Sequence, residues 1–246
     1  MKLKVCWMYH DIMDLYGDRG NIMVLKKRCL DRGIDFDMQT CGIGDEVDLS
    51  TFDLVFFGGG ADREQGLIIE DLKKRKENIQ QALDQQTFFF LVCGGYQLFG
   101  KYYVDANGNK IEGLGFFDYE TTAGLNKERC IGNIVIECEM EEECFLVVGF
   151  ENHGGQTKHV QTPFGHVLAG YGNDVSSKKE GFYNGQVLGT YLHGPLLPKN
   201  PKLADIIIKK SLSKRYESPQ LEALDDTLEI AANHSILKKL NISVDS

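Results

Sequence analysis

No apolar run in the sequence approaches the roughly 18–20 residues of a membrane-spanning helix, so a membrane span is not expected. The opening stretch MKLKVCWMYH lacks the apolar core and small-residue cleavage site of a secretory signal. It reads as a first strand. A basic excess is missing too. The 246 residues carry a formal net charge of −9, and phosphate backbones are bound by basic surfaces, so no nucleic-acid partner is expected. The acidic excess serves solubility. Seven cysteines occur, at 6, 29, 41, 93, 130, 138 and 144, with no C-x-x-C pair among them. Their odd number and irregular spacing speak against a disulfide framework or a zinc site. Reduced thiols in a cytoplasmic protein are the simple reading, and most of them should be small buried hydrophobes. The Gly-Lys-Ser/Thr of a phosphate loop is absent as well.

What is present is enough for one large α/β domain. The hydrophobic fraction is 42%, ordinary for a chain with a full core. The segments KLKVCWMY (2–9), IDFDMQ (34–39), FDLVFF (52–57) and TFFFLV (87–92) read as strands. Between and after them, 20–33, 67–86 and 96–103 read as helices. Ile68, Leu72, Ile79 and Leu83 form one apolar stripe in the second of these. Continuous apolar strands alternating with helices indicate a parallel sheet covered on both faces. From about residue 110, short strands separated by Gly and Asn read as an antiparallel extension of the same sheet. Residues 200–216 and 223–240 read as helices, with Pro201 in a first turn. The division expected is one domain over 1–216 and a C-terminal helical appendage over 217–246.

The strongest chemical signal is FFFLVCGGYQLFG. An apolar strand runs into Cys93, two glycines follow, and a helix begins. This is the layout of a nucleophile elbow. A helix N-terminus offers partial positive charge and free N–H groups, both of which favour a thiolate. The N–H of Gly94 is placed to stabilise an oxyanion. A buried structural cysteine remains the alternative. FFGGGADREQ (56–65) is a second strand ending in glycines. In an open parallel sheet the C-terminal strand ends form the binding crevice, so an N–H of Gly59 or Gly60 could be the second oxyanion donor. A plain glycine turn is the alternative there. Among the histidines, His193 and His153 stand at strand ends. His193 precedes Gly194-Pro195 and is the preferred base, whereas His159, His166 and His234 suit surface roles.

Several segments together resemble class I glutamine amidotransferases of the cobyric-acid-synthase-like type. They are LYGDRGN (15–21), GGGADREQ (58–65), CGGYQLFG (93–100), GLGFFD (113–118), ERCIGN (128–133), GFENHGG (149–155) and GTYLHGPLLPKNP (189–201). The resemblance implies an α/β, flavodoxin-like fold with a largely parallel sheet, helices on both faces and an antiparallel extension. It implies Cys93 as nucleophile, His193 as general base, Arg129 on the α-carboxylate of L-glutamine and Gln97 on the substrate amide. A guanidinium suits a carboxylate because it binds bidentately. His153 becomes structural. The resemblance further implies a heterodimer with a MurT-like Mur ligase subunit that carries ATP and amidates the D-glutamate of the lipid II stem peptide. No cofactor is expected on this chain. A free-standing Cys–His amide hydrolase, an ammonia donor to a cobyrinate-type synthetase, and a catalytically dead binding subunit are the alternatives. Many enzymes of this class carry a glutamate two residues after the histidine. Here that position is Pro195, so the orienting carboxylate is expected from the partner. LYGDRGN has no physical role on this reading.

Overall fold

The computed structural model describes residues 1–124 and 128–243. The first half alternates strands and helices: β1 (Lys2–Met8), α1 (Arg19–Leu30), β2 (Asp35–Cys41), β3 (Leu54–Phe57), α2 (Asp62–Lys74), α3 (Lys76–Asp84), β4 (Phe88–Val92) and α4 (Gly94–Phe99). Then come β5 (Tyr102–Val104), β6 (Lys110–Glu112), β7 (Glu120–Ala123), β8 (Cys130–Met140), β9 (Glu143–His153), β10 (Gly155–Lys158), β11 (Gly165–Ala169) and β12 (Lys179–Glu180). The chain closes with β13 (Phe182–Tyr183), β14 (Val187–Thr190), β15 (Leu192–His193), α5 (Pro201–Leu212) and α6 (Thr227–Lys239).

The central sheet has six strands in the order β13-β14-β4-β3-β1-β2. All pairs are parallel except the edge pair of β13 with β14. Every residue of β3 and β4 is buried, as expected for strands covered on both faces. α1 packs on α5, and α5 on β1 and β4; α2 packs on α4, and α4 on β4 and β14. The order grows from β1 to β2 on one side and from β3 onward on the other. Such a reversal opens a crevice at the C-terminal ends of β1 and β3.

The antiparallel part is not an extension of the central sheet. It forms two sheets of its own, β12-β11-β8-β9-β15 and β10-β7-β5-β6, the second of which includes one parallel pair, β5 with β7. The long β8–β9 hairpin dominates the first, and its two-residue turn, Glu141-Glu142, has both residues at positive φ, matching the natural twist of a hairpin. The two architectures meet within four residues. β14 pairs with β4 up to Thr190, whereas β15 leaves the central sheet and pairs Leu192 with Glu151 and His193 with Phe150 of β9.

Two helix boundaries differ from the periodicity. The helix expected over 67–86 starts at Asp62 and divides at Arg75. The Arg75 guanidinium is buried and holds the carbonyls of Gly42 and Asp45, a tertiary tie that no helical period reports. The helix expected over 96–103 runs from Gly94 to Phe99. Gly100 is extended, and Tyr102–Val104 pairs with β6 and β7 instead. Among the described residues no helix is long and apolar enough to cross a membrane.

Candidate active site

Cys93 stands between β4 and α4 with φ 49° and ψ −103°. A non-glycine residue in that region is strained, and the strain is the signature of a nucleophile elbow, which turns the side chain out of the sheet edge. Its N–H is anchored to the Thr190 carbonyl at 2.8 Å. The elbow can approach the end of β3 because residue 94 is glycine. A Cβ there would lie 3.1 Å from both the nitrogen and the oxygen of Gly60. Cys93 is almost fully buried.

His193 is also fully buried and comes from β15, at the junction of the two sheet systems. Its Nδ1 lies 3.2 Å from Oδ1 of Asp18, a residue 175 positions away and equally buried. The second oxygen, Oδ2, accepts the Gly59 N–H at 2.8 Å. Nε2 of His193 has no hydrogen-bond partner. Burial works against a charge on this imidazole, but the Cys93 sulfur and the Asp18 carboxylate outweigh it and raise the His193 pKa to about 10. That rise favours an imidazolium on His193 beside the sulfur. The Tyr16 ring meets it edge-on, with centroids 5.1 Å apart.

Gly59 is the centre of this packing. A Cβ on it would stand 2.8 Å from His193 Cε1, 3.1 Å from Asp18 Oδ2 and 3.3 Å from Cys93 Cβ. The expectation for its N–H needs correction, because that group is committed to Asp18 and is not free for an oxyanion. Two candidate donors remain. The Gly60 N–H has no acceptor among the described residues. The Gly94 N–H opens α4, where no intrahelical partner exists.

Gln97 is hydrogen-bonded within the chain. Its amide is buried, accepting from Gln65 Nε2 at 2.9 Å and donating to the Tyr191 hydroxyl at 3.0 Å. That hydroxyl continues to Thr157 and Thr121. Gln97 therefore ties α4 to α2 and to the second sheet system. Arg129 is exposed, and its guanidinium bonds the Asn152 side chain at 2.8 Å. Cys130, next to it, pairs with His153 on β9, three residues along from Phe150, the partner of His193. The offset along the strand is about 10 Å. His153 is buried, stacks on Tyr191 at 3.8 Å and hydrogen-bonds the Gly155 carbonyl.

Asp18 of this same chain lies on the His193 Nδ1 side, where an orienting carboxylate would stand. Three contacts bring it there. Asp18 meets His193, Gly20 packs directly on Pro195, and Asn21 Oδ1 accepts the Leu197 N–H at 2.9 Å. Asp18, Gly20 and Asn21 of LYGDRGN thus dock on His193, Pro195 and Leu197. Pro195 is a packing surface for α1, not a gap. The signal that could have found Asp18 was an aspartate immediately before a helix, in a motif with no other role.

A family model described as a CobB/CobQ-like glutamine amidotransferase domain matches residues 4–201. The chain is 38% identical over 237 residues to lipid II isoglutaminyl synthase (glutamine-hydrolyzing) subunit GatD of Staphylococcus aureus (strain N315), covering 95% of this chain and 96% of that protein. The corresponding subunit of Streptococcus pneumoniae (strain ATCC BAA-255 / R6) is 38% identical over 242 residues, covering 96% and 92%. A crystal structure of a glutamine amidotransferase superposes with a TM-score of 0.51 at 15% identity, covering 84% of this chain and 98% of that one. That likeness concerns the fold.

Proposed function

Because the chain belongs to the CobB/CobQ-like glutamine amidotransferase family, we propose that it is the glutaminase subunit of a lipid II isoglutaminyl synthase. It hydrolyses L-glutamine and passes the ammonia to a MurT-like, ATP-dependent Mur ligase subunit, which amidates the D-glutamate of the lipid II stem peptide. The observation that carries the chemistry is Cys93 on a strained elbow in one buried cluster with His193. The near full-length identity to two curated GatD subunits supports the choice of acceptor.

The steps follow from the geometry. The Cys93 sulfur forms a bond to the side-chain carbonyl carbon of glutamine. The developing oxyanion takes hydrogen bonds from Gly60 and Gly94. The C–N bond breaks as the His193 imidazolium gives its proton to the leaving nitrogen, which departs as ammonia. Water then adds to the thioester, giving up a proton to His193, and glutamate leaves with regeneration of the thiol. Arg129 binds the α-carboxylate of the substrate. The partner and the cytoplasmic setting belong to the same reading, which the free thiols of all seven cysteines suit.

A glutamine-analogue electrophile tests the reading. It should label Cys93 stoichiometrically, and excess L-glutamine should protect the thiol. The chain co-purified with its Mur ligase subunit should amidate lipid II from glutamine. Arg129→Ala should raise the glutamine KM about tenfold or more, since a charge-assisted pair is lost, with kcat little changed. Hydrolysis of other amides with equal efficiency would instead favour the free-standing hydrolase.

A further inference from the structure

The start of α1 shows an anomaly. Asp18 occupies the helix-start position, where an aspartate ordinarily accepts a backbone N–H of the first turn. Here it makes no such bond. Its carboxylate turns inward instead, fully buried, with one oxygen on His193 Nδ1 and the other on the Gly59 N–H. The first N–H of the helix, that of Arg19, is taken by Asp14 Oδ1 at 2.7 Å instead. A buried carboxylate is itself costly unless both oxygens are satisfied. Here both are satisfied, and both by the catalytic cluster.

We propose that Asp18 is the positioning residue of this site, holding His193 and the Gly59–Gly60 backbone in one register so that the chain supplies its own third triad member. The proposal rests on the reading of Cys93 and His193 as nucleophile and base. With Oδ1 on Nδ1, the proton on that nitrogen is fixed, and Nε2 is the atom presented to the sulfur and the leaving nitrogen. With Oδ2 on the Gly59 N–H, the next peptide is held so that the Gly60 N–H stays free to act beside Gly94. One carboxylate thus aligns the base and an oxyanion donor together. The ionisable groups around the ring are Asp18 from the β1–α1 loop, Cys93 from the elbow and Tyr16 from the same loop, with the charge of Glu180 from β12 felt at longer range. Of these, Asp18 alone hydrogen-bonds Nδ1 among the described residues.

The test compares the full chain and its Asp18→Asn variant, each alone and with the Mur ligase subunit. An asparagine keeps the shape but cannot accept from both Nδ1–H and Gly59 N–H. Losing a correctly oriented acid costs about 10⁴-fold in a serine triad, and a thiol needs it less. The expected fall in glutaminase kcat is therefore about 10²- to 10³-fold, with or without the partner and with KM nearly unchanged. A second readout is alkylation of Cys93 by iodoacetamide across pH. With Asp18 neutralised the His193 imidazolium beside the sulfur loses a partner that stabilises it, so the alkylation profile should fall about tenfold near neutral pH. A merely structural role would leave it in place. Should the variant fold poorly, the wild-type chain serves by itself. Its ¹H–¹⁵N spectrum should show the His193 Nδ1 proton strongly downfield and slow to exchange.

Wild-type kcat and an unmoved alkylation profile in Asp18→Asn would overturn the proposal. So would a wild-type chain that is inactive alone and becomes equally active, with or without the Asp18 change, once the partner binds. That outcome assigns the carboxylate to the partner. Failure of the wild-type complex to hydrolyse glutamine, with Cys93 unlabelled, would instead refute the reading of the site itself.

Discussion

At the scale of single residues, Cys93 combines backbone strain with the position proposed for the nucleophile. A non-glycine residue held in a sparsely populated backbone region costs about 1–3 kcal/mol, and its φ of 49° lies in such a region. Glycine adopts that conformation without the Cβ penalty. Cys93→Gly should therefore abolish glutamine hydrolysis while leaving the melting temperature equal to or above that of the wild type. A clear fall in Tm would show that the thiol contributes more to packing than its backbone costs. The other buried cysteines share no such strain. Burial pushes the Cys29 and Cys130 thiols up to about 12, which keeps them neutral and inert at physiological pH.

At the scale of elements, the end of β3 and the turn of β4 into α4 act as one piece. Gly59 lies against Cys93, His193 and Asp18 at once, and every atom a Cβ on it would meet belongs to a buried residue. Gly59→Ala should lower kcat by about 10²-fold or more, because a displacement of about 1 Å at a reacting centre has that effect. Gly66, in the interior of α2, is the natural control. Nothing lies within 4 Å of the position a Cβ would take there. Gly66→Ala should stabilise the chain by about 0.5–1 kcal/mol through helix propensity, with activity unchanged. Thermal unfolding and steady-state kinetics on the two variants separate the effects. Equal loss of activity in both would mean that Gly59 has no special place.

At the scale of the whole molecule, the central sheet and the antiparallel sheets are joined where His193 emerges. Glu180 is the buried carboxyl at that joint. It accepts the Tyr191 N–H at 2.7 Å and lies within 3.3 Å of the Thr190 hydroxyl. Burial pushes its pKa up to about 8, the hydrogen bonds from Tyr191 and Thr190 oppose the rise, and the Glu151 charge adds to it. A carboxyl with a raised pKa in the folded state binds its proton more tightly there than in the unfolded chain. Its contribution is therefore full at acid pH and is lost as pH climbs from about 4.5 towards 8. Glu180→Gln keeps the acceptor for Tyr191 and removes the titration. The wild type should lose stability relative to this variant across that window, as read from Tm at a series of pH values. Parallel curves would place the charge on Glu180 throughout. His193 titrates in the opposite sense of charge but with the same trend. Its stabilising proton is present below its unfolded value and lost as pH rises through about 10.

The sequence by itself determined the alternation of apolar strands and helices, the elbow at Cys93, the strand end at His193 and the glycine turn after β3. Each of these is a local signal, a period or a dipeptide, and local chemistry writes it directly into the chain. The tertiary structure alone decided that the antiparallel strands form their own sheets, that Gln97 is spent on Gln65 and Tyr191, and that the Gly59 N–H belongs to Asp18. It also decided which carboxylate faces His193. That contact spans 175 positions and exists because Gly20 lets α1 pack against Pro195. No period or spacing encodes such a contact. It follows from the way α1 packs against the loop after β15, so the residue that seemed to mark a missing acid is the one against which α1 docks to bring the acid in.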